Sequence, residues 1–189
     1  MRIIAGNFKG RKILEPIDKK TRPLKDLTKE SIFNIINHSN LLNINLSKCS
    51  ILDLFSGVGS FGLECISQGA LYVMFSENYK PVLEILNQNI NSLQCQDKTK
   101  IINQDIFDQK FFQKINKKFD IIFCDPPFIE ENIQEIISNI QKFQILNKDG
   151  VIIVHRHKNS NDLMPKEFKI IKENRYGISK IIFAKLVNQ

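Results

Sequence analysis

The sequence predicts an α/β fold: a seven-stranded, mostly parallel sheet with helices on both faces, plus a small N-terminal hairpin and helix extension. Two observations carry this expectation. Beyond about residue 50, short apolar runs alternate with segments whose apolar residues recur at helical spacing. The first apolar run ends in a glycine-rich turn, the usual passage from a strand into a helix in such folds.

Element by element, residues 2–5 and 11–14 flank Gly6-Asn7-Phe8-Lys9-Gly10 and read as a small hairpin. Arg22-Pro23 breaks the chain, and Asp26 is a candidate cap for a helix carrying Leu27, Phe33, Ile35 and Ile36 on one side. After an Asn-rich loop, residues 51–55 read as a strand, followed by the glycine turn and a helix near 62–68. Residues 71–76 form a second strand. Pro81 suits the first turn of a helix in which Val82, Leu86, Ile90 and Leu93 recur. Residues 100–103, 119–124 and 151–155 are three further strands, with a helix around 133–143 between the last two. Residues 168–173 and 178–186, joined at Tyr176-Gly177, close the chain as a hairpin. Alternating strands and helices imply right-handed crossovers, and ligands then bind beyond the carboxyl ends of the strands, where strand order reverses.

Composition bounds the function. At 189 residues and 42% hydrophobic, the chain is long enough for one well-buried core. It has no apolar run of about eighteen residues and no apolar leader ahead of a cleavage site, so a cytoplasmic location away from membranes is expected. Cys49, Cys65, Cys95 and Cys124 form no C-x-x-C pair, which fits free thiols better than a disulfide framework or a zinc site. The net charge of +7 is concentrated at the start: residues 1–30 hold nine Lys and Arg against four Asp and Glu. A polyanion would be attracted there, although a solvated face has the same composition.

Two constellations carry chemistry. In Asp53-Leu54-Phe55-Ser56-Gly57-Val58-Gly59-Ser60-Phe61-Gly62, glycines at 57, 59 and 62 match G-x-G-x-x-G between a strand and a helix. They let the backbone turn tightly and approach a nucleoside cofactor. Glu77 ends the next strand, where a carboxylate can accept from ribose hydroxyls. That spacing suits a nicotinamide dinucleotide and S-adenosylmethionine equally. Asp53 tilts the choice toward the second, whose ammonium group benefits from a nearby anion. The second constellation is Asp125-Pro126-Pro127-Phe128, directly after the strand at 119–124. The two prolines fix the backbone, so the Asp125 carboxylate and the Pro126 carbonyl can point rigidly at one spot. Phe128 offers a ring on which a splayed-out base can stack.

This second element resembles the [D/N]-P-P-[F/Y] motif of exocyclic-amine methyltransferases. The wider chain resembles the RsmD family, which methylates N2 of a guanine in bacterial 16S ribosomal RNA. Arg2-Ile3-Ile4-Ala5-Gly6, Lys9-Gly10-Arg11-Lys12, Arg22-Pro23 with Asp26, Lys29-Glu30, the glycine motif, Asp125–Phe128, and Tyr176-Gly177 with Ser179-Lys180 follow the family's order. The chain departs from that pattern at Leu24-Lys25, at Val58, and after Asn78, where a frequent later Asp is missing.

The resemblance implies a Rossmann-like class I methyltransferase domain over residues 41–189 behind a basic RNA-contacting extension over residues 1–40. It implies S-adenosylmethionine as cofactor, held by Asp53, Phe55, Gly57, Gly59, Phe61, Glu77, Asn78, Asp105 and Ile106. Asp125, Pro126, Pro127 and Phe128 are the expected catalytic turn. Arg2, Lys9, Arg11, Lys12, Arg22, Lys25 and Lys29 are the candidates for phosphate contacts. The partner is ribosomal RNA or a small-subunit particle, met by a monomer.

His155-Arg156-His157 has the spacing of a zinc-binding pair but no further ligand nearby, and both histidines are expected on the surface at a strand end. Cys124 precedes Asp125 and is expected to pack in the sheet, against a covalent cytosine mechanism. Two other readings stay open on the residues alone. The same Asp-Pro-Pro turn serves adenine-N6 and cytosine-N4 methyltransferases, on DNA or RNA. A noncatalytic RNA-binding assembly factor on this fold is the other, opposed by the intact glycines and proline turn.

Overall fold

The computed structural model describes residues 1–16 and 24–187. Helix α1 spans Asp26–His38, strand β1 Ser50–Leu54, α2 Ser60–Ser67, β2 Tyr72–Ser76, α3 Lys80–Leu93 and β3 Thr99–Ile102. Then come α4 Gln109–Gln113, β4 Phe119–Cys124, α5 Ile133–Lys142, β5 Leu146–His157, β6 Phe168–Tyr176 and β7 Ser179–Leu186. The strands form one seven-stranded sheet in the order β3-β2-β1-β4-β5-β7-β6. Strands β1 to β5 pair in parallel, while β7 runs antiparallel to both β5 and β6. Strand order therefore reverses between β1 and β4.

Alternation along each strand supplies both faces. Ile51, Ile121, Val151 and Ile153 pack with Phe33, Leu63, Leu86 and Ile90, so α1, α2 and α3 cover one side. Leu52, Ile122, Ile152 and Val154 pack with Phe111, Phe112, Ile136 and Ile140, so α4 and α5 cover the other. Strands buried on both faces read as continuous apolar runs, which is why β1 and β4 are recognisable from sequence. Gly62 has no room for a side chain: a Cβ there would stand 2.3 Å from Phe75 Cε1 and 2.7 Å from Val73 Cγ1. It lets α2 lie close on β2.

The N-terminal segment is a hairpin held by one antiparallel bridge, Arg2 to Lys12, around a 3-10 turn at Gly6–Phe8. Ile3 and Ile13 bury into the same cluster as α1 and the sheet, so the extension shares the domain's core. Two expectations about α1 are corrected. Asp26 is its first residue, with Lys25 at the cap position, and Leu27 is 79% exposed. The helix phase points Leu27 outward while Ile32, Phe33, Ile35 and Ile36 face the core. Lys25 occupies its cap position without a side-chain hydrogen bond.

Lys29 is also corrected. Its side chain is fully buried, 3.4 Å from Glu64 of α2, and Nζ donates to Arg2 O at 2.8 Å. Glu64 in turn accepts from Ile4 N at 2.8 Å and Ala5 N at 2.9 Å. Burial holds the Lys29 ammonium below its ordinary range, and Glu64 and Asp26 oppose that. With no exposed surface, Lys29 staples the hairpin, α1 and α2 together and touches no phosphate. Arg22 lies outside the described residues.

Candidate active site

At the switch point between β1 and β4 lies a cavity of about 450 Å³. Its wall includes Asp53, Phe55, Gly57, Phe61, Glu77, Asn78 and the whole turn Asp125, Pro126, Pro127 and Phe128. Two loops far apart in sequence thus share one pocket, because β1 and β4 are neighbours and both deliver their carboxyl ends there. The volume suits a small-molecule or cofactor site.

Asp53 lies near the end of β1 with its side chain turned into the protein and is 1% exposed. Its Oδ2 accepts from Gly62 N at 3.0 Å, whereas Oδ1 is buried without a partner. Burial pushes the carboxyl well above the ordinary carboxylate range; the Gly62 N–H opposes this, and Asp125 and Glu77 add to it. Ser56 Oγ, also on the cavity wall, is the second unpartnered buried oxygen there. Orphaned acceptors in a concave site fit a ligand that brings donors and positive charge.

The backbone turns sharply after Asp53. Phe55 has φ +58, unusual for an aromatic residue and worth about 1–3 kcal/mol of strain. Its ring packs 6.3 Å from Phe107, which ties the loop after β3 to the pocket. Glu77 locks the glycine loop from the other side: Oε2 accepts from Gly57 N at 2.8 Å, and Oε1 from Asn78 N and Tyr79 N at 2.9 Å each. A carboxylate offers about four acceptor directions, so one remains for a ribose hydroxyl. Phe61 stacks on Phe123 with centroids 4.0 Å apart, forming the apolar floor.

Three cofactor candidates lie off the cavity wall. Gly59, with φ +86, sits at the cap position before α2, and a Cβ there would stand 2.6 Å from Leu86 Cδ1. Ile106 is buried among α4 and the sheet. Asp105 is exposed, and its Oδ1 accepts from Phe107 N at 3.0 Å. Conversely, Met1, Pro16, Leu24, Tyr79 and Glu130 line the cavity although no motif marks them. Only the folding of the extension over the sheet brings Met1, Pro16 and Leu24 there.

The Asp125 turn is held from behind by β5. Asp125 is 19% exposed, and its Oδ1 lies 2.8 Å from His155 Nδ1, whose Nε2 is 2.9 Å from Ser179 Oγ. Arg156 donates to the carbonyls of Pro127, at 3.1 Å, and of Glu130, and pairs with Asp162 at 2.9 Å. Expectation and structure part here: His155 is 3% exposed, not a surface residue. Its partners come from the strands on either side, and both ring nitrogens are engaged. The Phe128 ring stands edge-on to His155 and His157 at 5.6 and 5.3 Å. Cys124 is fully buried, and burial pushes its thiol far up, so no thiolate nucleophile forms there near neutral pH.

Of the basic residues expected to meet RNA, Arg2, Lys9, Arg11, Lys12 and Lys25 are exposed. Arg2 lies 3.8 Å from Asp26, and Arg11 donates to Ser92 O at 2.6 Å while reaching over the Phe8 ring. Among the described residues no helix is long and apolar enough to cross a membrane.

Comparison with known proteins extends these observations. A family model described as conserved hypothetical protein 95 matches residues 1–185. Ribosomal RNA small subunit methyltransferase D of Haemophilus influenzae is 33% identical over 94% of this chain and 90% of its own. The crystal structure of a putative methylase from Haemophilus influenzae, 30% identical, superposes with a TM-score of 0.77 over 99% of this chain and 98% of that one. A putative methyltransferase from Escherichia coli, 24% identical, shares the fold with a TM-score of 0.81 over 100% and 99% of the two chains. With nearly its whole length matched, the chain belongs to the conserved hypothetical protein 95 family, to which the RsmD-type methyltransferases belong.

Proposed function

We propose that this protein transfers a methyl group from S-adenosylmethionine to the exocyclic N2 amine of a guanine in small-subunit ribosomal RNA. The observation that carries it is the meeting of a buried, half-satisfied Asp53 with the Asp125-Pro126-Pro127-Phe128 turn in one cavity. The likeness to the Haemophilus influenzae ribosomal RNA small subunit methyltransferase supports both the reaction and the RNA.

Bound S-adenosylmethionine supplies an electrophilic methyl on a sulfonium centre. The chain's own residues do the rest. Asp53 Oδ1 and Ser56 Oγ are the open acceptors for the cofactor's ammonium side, and Glu77 keeps an acceptor for its ribose. The guanine amine is a poor nucleophile because its lone pair is delocalised into the ring. Accepting its two N–H groups at Asp125 and the Pro126 carbonyl favours a pyramidal nitrogen with the lone pair released. Phe128 flanks the base, as expected for a nucleotide drawn out of its stack. On methylation the amine gives up one proton, which passes to the Asp125 carboxylate or to solvent, while positioning and fixed dipoles supply the rate. Residues 1–40 act as the RNA-contacting extension of a 41–189 methyltransferase domain, working as a monomer in the cytoplasm.

Asp53→Asn tests the cofactor side. An unfolded aspartate ionises near pH 4, roughly. The folded carboxyl keeps its proton to higher pH, so its contribution to stability is full below that value and is lost as pH rises through the folded value. Asn still accepts from Gly62 N and cannot ionise. The expected result is a higher thermal midpoint of the ligand-free protein at pH 8, with cofactor affinity lowered about tenfold or more. Unchanged affinity by calorimetry would remove Asp53 from the cofactor site.

The extension makes a separate prediction. Removing the charges of Lys9, Arg11, Lys12 and Lys25 together is expected to weaken RNA binding and to flatten its salt dependence. The slope should fall by about 0.7–0.9 for each phosphate that is no longer neutralised. The function as a whole is tested by offering labelled S-adenosylmethionine with unmodified small-subunit RNA, assembled particles or DNA. Label on RNA or particles is expected; label on DNA alone, or none at all, overturns the proposal.

A further inference from the structure

We propose that His155 is a positioning residue that fixes the Asp125 carboxylate for the amine, through a hydrogen-bonded chain Asp125–His155–Ser179 running across three adjacent strands. This rests on reading Asp125 as the acceptor of the substrate amine. The chain crosses the sheet from the end of β4, through β5, to the start of β7. Its polar direction follows from what each group can do. An ionised carboxylate only accepts, so His155 Nδ1 carries the hydrogen at 2.8 Å from Asp125 Oδ1. The ring's other nitrogen, Nε2, lies 2.9 Å from Ser179 Oγ, a hydroxyl that can either donate to it or accept from it.

Three consequences follow. With Oδ1 bonded to His155, the carboxylate is held in one orientation, and Oδ2 keeps both of its acceptor directions for the amine. The imidazole cannot turn, because it is 3% exposed and both nitrogens are engaged. The same ring packs against Phe128 with centroids 5.6 Å apart, so one side chain braces both the amine acceptor and the base-flanking ring. A buried histidine serving packing alone would need neither a carboxylate from the reacting turn nor contact with Phe128.

The test compares His155→Phe with His155→Asn in single-turnover methyl transfer, with cofactor affinity and RNA KM measured alongside. Asn places an amide N–H where Nδ1 stood, so it restores the donor to Asp125 without restoring the ring. His155→Phe is expected to lower kcat about 10²-fold, the effect of a misplaced reacting group, with cofactor affinity and KM within about twofold. His155→Asn is expected to recover at least about tenfold of that loss. Ser179→Ala, which leaves the ring in place and frees Nε2, is expected to lower kcat by a smaller factor of about three to ten. It stands in if the Phe variant fails to fold. Wild-type kcat in both His155→Phe and Ser179→Ala, with Asp125→Ala inactive, overturns the inference and leaves the proposed function intact. Equal loss in the Phe and Asn variants, accompanied by loss of cofactor affinity, makes His155 structural and also overturns it. A fully active Asp125→Ala protein overturns the proposed function itself.

Discussion

Asp125→Ala is expected to lower the methyl-transfer rate by about 10²–10⁴-fold while leaving cofactor affinity nearly unchanged. The carboxylate sits on a turn rather than in the core, 19% exposed, so truncation removes a hydrogen-bonding group without opening a large void. Its backbone N–H still bonds Leu54 O at 3.3 Å, and Pro126 and Pro127 still fix the turn. The loss therefore falls on kcat and kcat/KM together, the signature of an interaction made in the transition state. Asp125→Asn is expected to lie between the two proteins, since it keeps one acceptor oxygen and cannot take a proton. Single-turnover rates with calorimetric cofactor binding check this. Wild-type rates in the Ala variant would remove Asp125 from the chemistry.

Lys29→Ala carries the largest expected effect on stability. Breaking a buried pair by removing one partner costs about 3–5 kcal/mol, because the other charge stays buried. Here that charge is Glu64, which retains the N–H groups of Ile4 and Ala5 but loses its counter-ion. The hairpin also loses the bond from Lys29 to Arg2 O. A fall of the thermal midpoint on the order of 10 °C is expected. Lys25→Ala, at an exposed neighbouring lysine, is expected to change stability by less than about 0.5 kcal/mol. Thermal melts of the two variants, with RNA affinity measured where both are folded, separate the roles. An unchanged melt with weaker RNA binding in Lys29→Ala would return that lysine to the RNA surface.

The sheet is legible in the sequence because its inner strands are apolar on both faces: the apolar run of β4 coincides with its observed limits, and those of β1 and β2 agree within a residue at each end, as does that of the edge strand β3. What escapes is structure whose cause lies elsewhere in the chain. The first part of β5 carries the polar residues Asn147, Lys148 and Asp149, and it joins the sheet only because Phe119 pairs with Leu146 across a bulge. The five residues of α4 are too few to show a period; Phe111 and Phe112 are helical because both bury against the sheet. The same reason governs the site. Asp53, Glu77 and the Asp125 turn announce themselves by local motif. His155 does not, because a polar residue at a strand end looks solvated until Asp125 and Ser179 arrive from neighbouring strands. Lys29 reads as one more positive charge in a basic segment, and only the arrival of Glu64 from α2 shows that it is interior. Local chemistry identifies the reacting groups, while their supports are products of the topology.

The most direct test of the central claim is the identity of the methylated nucleoside. Unmodified small-subunit RNA or particles are methylated with labelled S-adenosylmethionine, digested to nucleosides and separated. Label in N2-methylguanosine, absent with the Asp125→Ala protein, is the predicted result. Label in N6-methyladenosine or N4-methylcytidine would keep the amine chemistry of the Asp125 turn and contradict guanine N2 as its target.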